Sequence, residues 1–551
     1  MCGNVGASEA MTAPLIHLYY DKINKHSPYE FNVMPQTAKA QRREHSRQFD
    51  VHRWSDYPEV KTWVNQFWDE HLAASFVKKS KGGRKPKKPT KEIFKVLFLD
   101  LYVAWLEDPE LALGVSRTPK DYAVDDRYNA LHISKKIIEV IDVMLELGFI
   151  DQLLGSEDSG HRTRIWALPA LQEYFRKAAF SEFLIDTAQN RECIVLNSKE
   201  ILDEDDLAEL DEKSKKTSAK SLQYDDKDDP RIVPARELLR DYNRLLNNTH
   251  LDLGSEERPV VVSQHWNRKK RCNQIRRVSL RQYNKFVRRI FYRGDWNLGG
   301  RYHGGWWQQI PSELRRHILI NGNPTQEIDF SGFHVSLAYG LEGLSPPIDP
   351  YALSFVAEGL RKGQQRGAVK LLALTAINAK DRATAFMAFR DEMNREQRHE
   401  QHKVKYTDDL LTILLDGFLE ENPSIAHYLC ADKGVELMAI DGNITTRLIE
   451  HFTYKNIPIL TVHDSYIVEF EYEDELVRVM SNACEKELGI TEFKIKSEKK
   501  ITPTSLRHHQ NQDPAGINVI EGYKTINQQT IVCDGYKARR KRYLDFKDKY
   551  Y

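Results

Sequence analysis

An acidic, lysine-rich and nearly aromatic-free run at residues 197–230 most constrains how this chain can fold. It carries LDEDDLAELDEKS at 202–214 and YDDKDD at 224–229. Such a composition cannot bury enough apolar surface to offset the entropy of ordering. It therefore reads as a linker between separately folding parts. Length agrees, because 551 residues exceed the size at which one hydrophobic core usually stops growing. Hydrophobic residues at 41% and charged residues at 29% place both parts among ordinary globular domains.

Before the linker the pattern is mostly helical. Residues 78–91, KKSKGGRKPKKPTK, form a basic loop. Ser134 can cap a helix whose apolar positions Ile137, Ile141, Met144 and Leu145 recur at helical spacing, and Gly148 can end it. FIDQLLG, the polar tip EDSGH and RTRIWAL follow as strand, turn and returning strand. That is a winged-helix layout, which would bring Lys135, Lys136, His161, Arg162 and Arg164 near DNA, although such folds also serve as protein-contact modules. Asp186 and Glu192 are too isolated to suggest a DxE exonuclease cluster in residues 1–230.

The net charge of +1 hides a segregation. From Arg258 to Ile320 there are fifteen Lys or Arg against two acids, Asp295 and Glu313. Aromatics are interleaved (Trp266, Tyr283, Phe286, Phe291, Tyr292, Trp296), so the stretch is expected to fold and to present a nucleic-acid surface. The C-terminal YKARRKRYLDFKDKYY is also basic and aromatic, and is expected to be a partly ordered tail. No apolar run is long enough to cross a bilayer. The N-terminus lacks the pattern of a secretory signal, and Met-Cys does not suggest myristoylation. Six dispersed cysteines with no CxxC pair argue against disulfides or zinc, so a cytoplasmic protein is expected.

Three segments after the linker carry chemistry. In PTQEIDFSGFHVSLAYG (324–340), EIDF reads as a short strand leading into a helix, with Asp329 at the strand end. In PILTVHDSYIVEFEY (458–472), two alternating runs flank His463-Asp464-Ser465, the pattern of a β-hairpin with Asp464 at its tip. In GLRKGQQRGAVKLLALTAINAK (359–380), Lys362, Arg366, Lys370, Leu374 and Asn378 recur every four residues along one helix face. Two carboxylates able to hold a metal pair, with cations on a rigid element to meet a triphosphate, are the parts that phosphoryl transfer to a hydroxyl needs.

These segments resemble motifs A, B and C of the family A DNA polymerases, whose superfamily includes the single-subunit RNA polymerases. Motif A (DxSxxE) corresponds to Asp329-Phe330-Ser331-Gly332-Phe333-His334. Motif B (RxxxKxxx-aromatic-xxxY) corresponds to Arg366, Lys370, Leu374 and Asn378. Motif C (VHDE) corresponds to Val462-His463-Asp464-Ser465. Gly300-Arg301, Gln309-Ile310-Pro311 and Arg315-Arg316 precede them, as a Gly-Arg pair, a QNIP-like run and spaced arginines do in the family. The resemblance covers roughly 235–500.

It implies an α+β right-hand polymerase with palm, fingers and thumb, behind a mostly helical, winged-helix-like N-terminal domain. The expected divisions are a helical segment and basic loop at 1–91, a winged-helix-like domain at 92–196 and the linker at 197–230. A thumb and palm entry at 231–323, palm and fingers at 324–505 and an extension at 506–551 follow. Asp329 and Asp464 would hold two Mg²⁺ ions, with Mn²⁺ as an alternative. Arg366 and Lys370 would hold a nucleoside triphosphate, and Lys370 would donate a proton to pyrophosphate. His334, Leu374 and Asn378 would border the nucleotide. Arg301, Gln309, His463, Asp441 and Asn443 would meet DNA primer or template. The implied activity is DNA-dependent DNA polymerisation without proofreading, suited to a mobile element.

Three positions depart from the family pattern. His334 replaces the glutamate that closes off the 2′ side of the sugar, and Leu374 and Asn378 replace an aromatic and a tyrosine. The expected pocket is smaller and more polar, and dNTP against NTP preference stays open. Ser465 in motif C matches the single-subunit RNA polymerases. An RNA polymerase or primase-like enzyme is therefore one alternative, and a non-catalytic replication initiator another. Protein partners are not indicated.

Overall fold

A computed structural model describes residues 42–43, 45–76, 89–155, 162–199, 221–267, 272–396, 404–490, 495–497 and 532–550. Nearly all of the basic loop at 78–91, His161 and the acidic run at 202–214 lie outside these residues. The described residues form two compact units, one up to Glu192 with the chain from Phe546 on, the other between Cys193 and Asp545. The architecture is α+β. No described helix is long and apolar enough to cross a membrane.

The first unit is built on α1 (Pro58–Phe67) and α2 (Thr90–Glu107). α2 is apolar nearly all round and is accordingly buried from Ile93 to Ala104. Trp63 and Phe67 of α1 meet Phe98 of α2 with ring centroids 4.9 and 4.8 Å apart. A four-stranded sheet runs β1 (Ser46–Gln48), β2 (Ala112–Val115), β4 (Thr163–Ala167), β3 (Ile150–Leu153). α3 (Lys136–Glu146) lies between β2 and β3, with the Lys136 N–H donating to Ser134 Oγ at 3.4 Å. α4 (Pro169–Arg176) follows β4.

Residues 45–54, expected in a separate N-terminal segment, belong to this unit. β1 pairs in parallel with β2, and buried Asp100 of α2 binds Arg47 at 2.9 Å and Arg53 at 3.4 Å. Arg164, expected near DNA, is instead 1% exposed. It faces inward from β4, where its Nε donates to Ser46 Oγ at 2.7 Å. Glu192 is also internal and pairs with Arg127 at 3.0 Å.

The second unit takes up β5 (Ile194–Leu196), which sequence had grouped with the first, because this strand pairs in parallel with β9 (Val287–Tyr292). α5 (Ile232–Asn248) buries its apolar stripe of Leu239, Tyr242, Leu245 and Leu246. β6 (Leu251–Leu253) follows it, and β7 (Val260–Asn267) and β8 (Cys272–Ser279) then form a two-stranded ribbon. β10 (Asp295–Gly304) pairs with β9.

The central sheet has six strands. Its order is β13 (Leu460–Val462), β14 (Ser465–Glu469), β12 (Asn323–Phe330), β11 (Ile318–Ile320) and β6, with β15 (Ile495–Ser497) also on β12. The helices are α6 (Phe333–Leu341), α7 (Lys362–Ile377), α8 (Arg382–Glu396), α9 (Asp408–Glu421), α10 (Gly434–Tyr454), α11 (Glu473–Leu488) and α12 (Asp534–Tyr550).

One expectation fails here for an electrostatic reason. The C-terminal segment is helix α12, anchored where Arg539 donates to buried Asp252 at 2.8 and 3.1 Å. Its Tyr543 hydroxyl donates to the Asn248 carbonyl at 3.0 Å. Within the basic stretch 258–320, Lys285 and Arg289 are likewise turned inward. Lys285 donates to the Thr249 carbonyl at 2.7 Å, and Arg289 to Gly300 O and Asn443 Oδ1 at 2.8 Å each. A buried cation needs such partners.

Candidate active site

The central sheet brings the two aspartates together. β12 and β14 are antiparallel, with Asp329 opposite Ser465, and the Phe330 N–H donates to the Asp464 carbonyl at 3.2 Å. Asp464 lies in the two-residue turn His463-Asp464 that joins β13 to β14. His463 has φ +52°, a left-handed conformation that costs a non-glycine residue roughly 1 kcal/mol. Strand pairing on both sides of the turn holds it there.

A cleft of about 700 Å³ opens over this turn and is lined by Asp329, His334, Lys370, Leu374 and Asp464 among others. Residues more than a hundred positions apart in sequence thus share one concavity. Burial pushes the Asp464 carboxyl up, an effect opposed by the guanidinium of Arg301 and the ammonium of Lys370. Lys370 is therefore within electrostatic reach of Asp464 from the opposite wall. Among the described residues no group of three or more His, Cys, Asp or Glu could hold a metal by itself.

The remaining predicted residues divide. Arg366 does not line the cleft. It pairs with Asp349 at 2.7 and 3.0 Å, its guanidinium 5.8 Å from the Tyr351 ring centroid. Asn378 ends α7, where its Nδ2 donates to the Leu374 carbonyl at 2.9 Å, and it too is outside the cleft lining. Gln309 is half-buried in the turn after Trp306, while its neighbour Gln308 is buried and donates to the Thr461 carbonyl at 2.8 Å. His463 is held neutral, its pKa lowered to about 4 by burial and by the charges of Arg301 and Arg315.

Asp441 cannot meet a template as expected. It is 0% exposed, because α10 packs its Gly442 onto the backbone of β10. A Cβ at Gly442 would overlap the Gly300 carbonyl oxygen. This contact sets Asp441 beside Arg301, whose Nε donates to Asp441 Oδ2 at 2.5 Å. The Arg301 guanidinium reaches on to His334 Nε2 at 3.2 Å. Asn443, half-buried on the same helix, accepts from Arg289.

Sequence reasoning missed several groups. Glu327 lies two residues before Asp329 on β12, so the strand period of two puts both on one face. It receives Arg315 at 2.9 Å and the Ser465 hydroxyl at 2.7 Å, bracing the residue next to Asp464. The expected loss of aromatics with Leu374 and Asn378 is offset by Tyr351 and Tyr406, which line the cleft from outside α7. Gly363 and Gly367 line it two turns and one turn before Lys370, with open space where their Cβ atoms would be. Their four-residue spacing ahead of Lys370 was the available signal.

No family model and no curated protein matches this chain. Among solved structures, one similar entity is the POL domain of Pol1 from M. smegmatis in complex with DNA primer-template and dNTP. Sequence identity is 10% and the TM-score 0.21, over 37% of this chain and 46% of that chain. The likeness thus spans less than half of that chain's length, and at this TM-score it bears on neither fold nor function.

Proposed function

We propose that this chain is a template-directed nucleotidyltransferase, read most specifically as a DNA-dependent DNA polymerase without a proofreading exonuclease. The observation that carries the reading is the cleft that Asp329, Asp464 and Lys370 share. Two carboxylates, one near the end of β12 and one in the adjoining turn between β13 and β14, suit Mg²⁺ or Mn²⁺, hard cations that keep waters and take further ligands from substrate phosphates. When bound, such ions supply activation of the attacking hydroxyl and neutralisation of the leaving phosphate.

The chain's own groups do the rest. Asp329 and Asp464 would hold the ions. Lys370 meets the triphosphate and stands where it can give a proton to the leaving pyrophosphate. Gly363 and Gln364 in the first turn of α7 line the cleft, so the bare backbone and positive end of a 16-residue helix also face the phosphates. Tyr351 and Leu374 border the base and sugar. Arg366, held by Asp349 at the cleft's edge, adds charge on the triphosphate's approach. The first unit is read as a winged-helix module for DNA, on its helix–strand–helix–hairpin order and exposed Lys135 and Lys136.

The test offers a primed template, Mg²⁺ or Mn²⁺, and either dNTPs or NTPs, beside Asp464→Ala. Extension with dNTPs that the variant loses is the expected result. Extension only with NTPs, or without a primer, would move the reading to an RNA polymerase or primase. Activity that survives Asp464→Ala would overturn the site.

A further inference from the structure

The relay Asp441–Arg301–His334 joins a fully buried carboxylate on α10 to a side chain that lines the cleft. Arginine only donates, at every accessible pH. The imidazole nitrogen facing it, Nε2, must therefore be the acceptor. That leaves His334 neutral with its proton on Nδ1. The Arg301 guanidinium is in turn fixed by Asp441. The close approach of Gly442 to Gly300 holds that ion pair together.

We propose that Asp441 is a positioning residue that acts through Arg301 to lock His334 as an Nδ1–H donor toward the incoming nucleotide. The inference rests on the nucleotidyltransferase reading above, and names the chemistry of one contact in its site. The acceptor is an oxygen of the nucleotide, on its sugar or its triphosphate. Asp441 itself touches no substrate. Its consequence is that the cleft meets its ligand with a donor of fixed direction, where a free histidine would offer either tautomer.

The experiment measures kcat and KM for nucleotide incorporation in the full chain. His334→Phe, which removes donor and acceptor together, should raise KM about tenfold with kcat little changed. His334→Gln keeps an acceptor for Arg301 and an N–H for the ligand, and should recover most of that loss. Asp441→Asn should also raise KM about tenfold alone, yet add nothing further in a His334→Phe background. Should Asp441→Asn fold poorly, Arg301→Lys replaces it, since lysine cannot bridge both partners.

Parallel runs with dNTPs and NTPs locate the acceptor. A loss confined to NTPs places it at the 2′ oxygen, and equal losses place it on atoms that both share. Additive losses from Asp441→Asn and His334→Phe, or a KM indifferent to His334→Phe, would overturn the proposal. A wild-type protein that incorporates nothing would overturn the reading it rests on instead.

Discussion

The two walls of the cleft are built on different principles. The strand wall, with β12, β14, β10 and α10 behind it, is internally tied: Glu327 to Arg315 and Ser465, Arg301 to Asp441 and His334. The α7 wall buries Ala368, Val369, Leu372 and Ala373 but leaves Lys362, Arg366 and Lys370 exposed. One wall holds charges fixed at the cost of burying them, and the other keeps charge solvated and adjustable. Substitutions of the strand wall's aspartates or of its packing should therefore alter chemistry or folding, with His334 and the pair behind it acting on nucleotide binding. Those on α7 should alter binding while leaving stability almost untouched.

The largest expected effect separates chemistry from fold. Asp464→Ala or Asp329→Ala should lower kcat by at least about a thousandfold, roughly 4 kcal/mol of lost transition-state stabilisation. Primer extension reads the loss, and a melting curve close to wild type shows that the strand wall still stands. An Asp329→Ala enzyme with near-normal turnover would remove it from the site.

Next is the packing that holds the strand wall. Gly442→Leu forces a side chain into the Gly300 carbonyl, which is backbone and cannot swing aside. Overpacking of this kind costs about 1–3 kcal/mol, measurable as a lower urea midpoint. A variant as stable as wild type would mean that α10 and β10 are not tightly joined.

Lys370→Ala tests the other wall. Losing a charge-assisted contact should raise nucleotide KM about tenfold, or roughly 1.4 kcal/mol, and losing the proton donor should lower kcat as well. Stability should shift by less than about 0.5 kcal/mol, as for other exposed positions. A large loss of stability with unchanged KM would make this lysine a packing residue.

Sequence made the local features of both walls legible. Asp329 and Asp464 could be placed because each lies where alternation breaks at a turn, and both signals are local. The four-residue ladder on α7 was equally local, and Lys370 came out of it at the cleft. What stayed hidden was pairing at long range. Arg301 finds Asp441 from a different element, Arg315 finds Glu327 across a turn, and Arg539 finds Asp252 from the far end of the chain. A charge run shows its sign in sequence but not its partners. Lys285 and Arg289 therefore read as surface charges although they are buried, and α12 read as a tail. Tyr351 and Tyr406 escaped notice because they enter from loops, where no periodicity marks a facing direction.

A pH dependence follows from the same burial of charge. His250, at the start of β6 and 3% exposed, has its pKa lowered to about 3 by burial and by the charges of Lys285, Arg540 and Arg539. In the unfolded chain it titrates near 6.5. Between these values the unfolded state binds the extra proton, so stability falls as pH drops from about 6.5 toward 3 and is fully present above it. The slope attributable to this residue is at most about 1.4 kcal/mol per pH unit. His250→Gln should flatten urea-midpoint curves across that window. An unchanged slope would assign the acid sensitivity elsewhere.

The smallest effect decides how adjustable the α7 wall is. Arg366 is bound to Asp349 in an exposed pair, which is worth about 0–1 kcal/mol. If the pair is a resting arrangement that a triphosphate can replace, Arg366→Ala should raise KM roughly threefold. Asp349→Ala, by freeing the guanidinium, should lower KM by a similar factor. Opposite signs from the two partners of one ion pair are hard to produce by unfolding. The same sign for both would mean that the pair braces the cleft's edge, and that this wall is as fixed as the strands it faces.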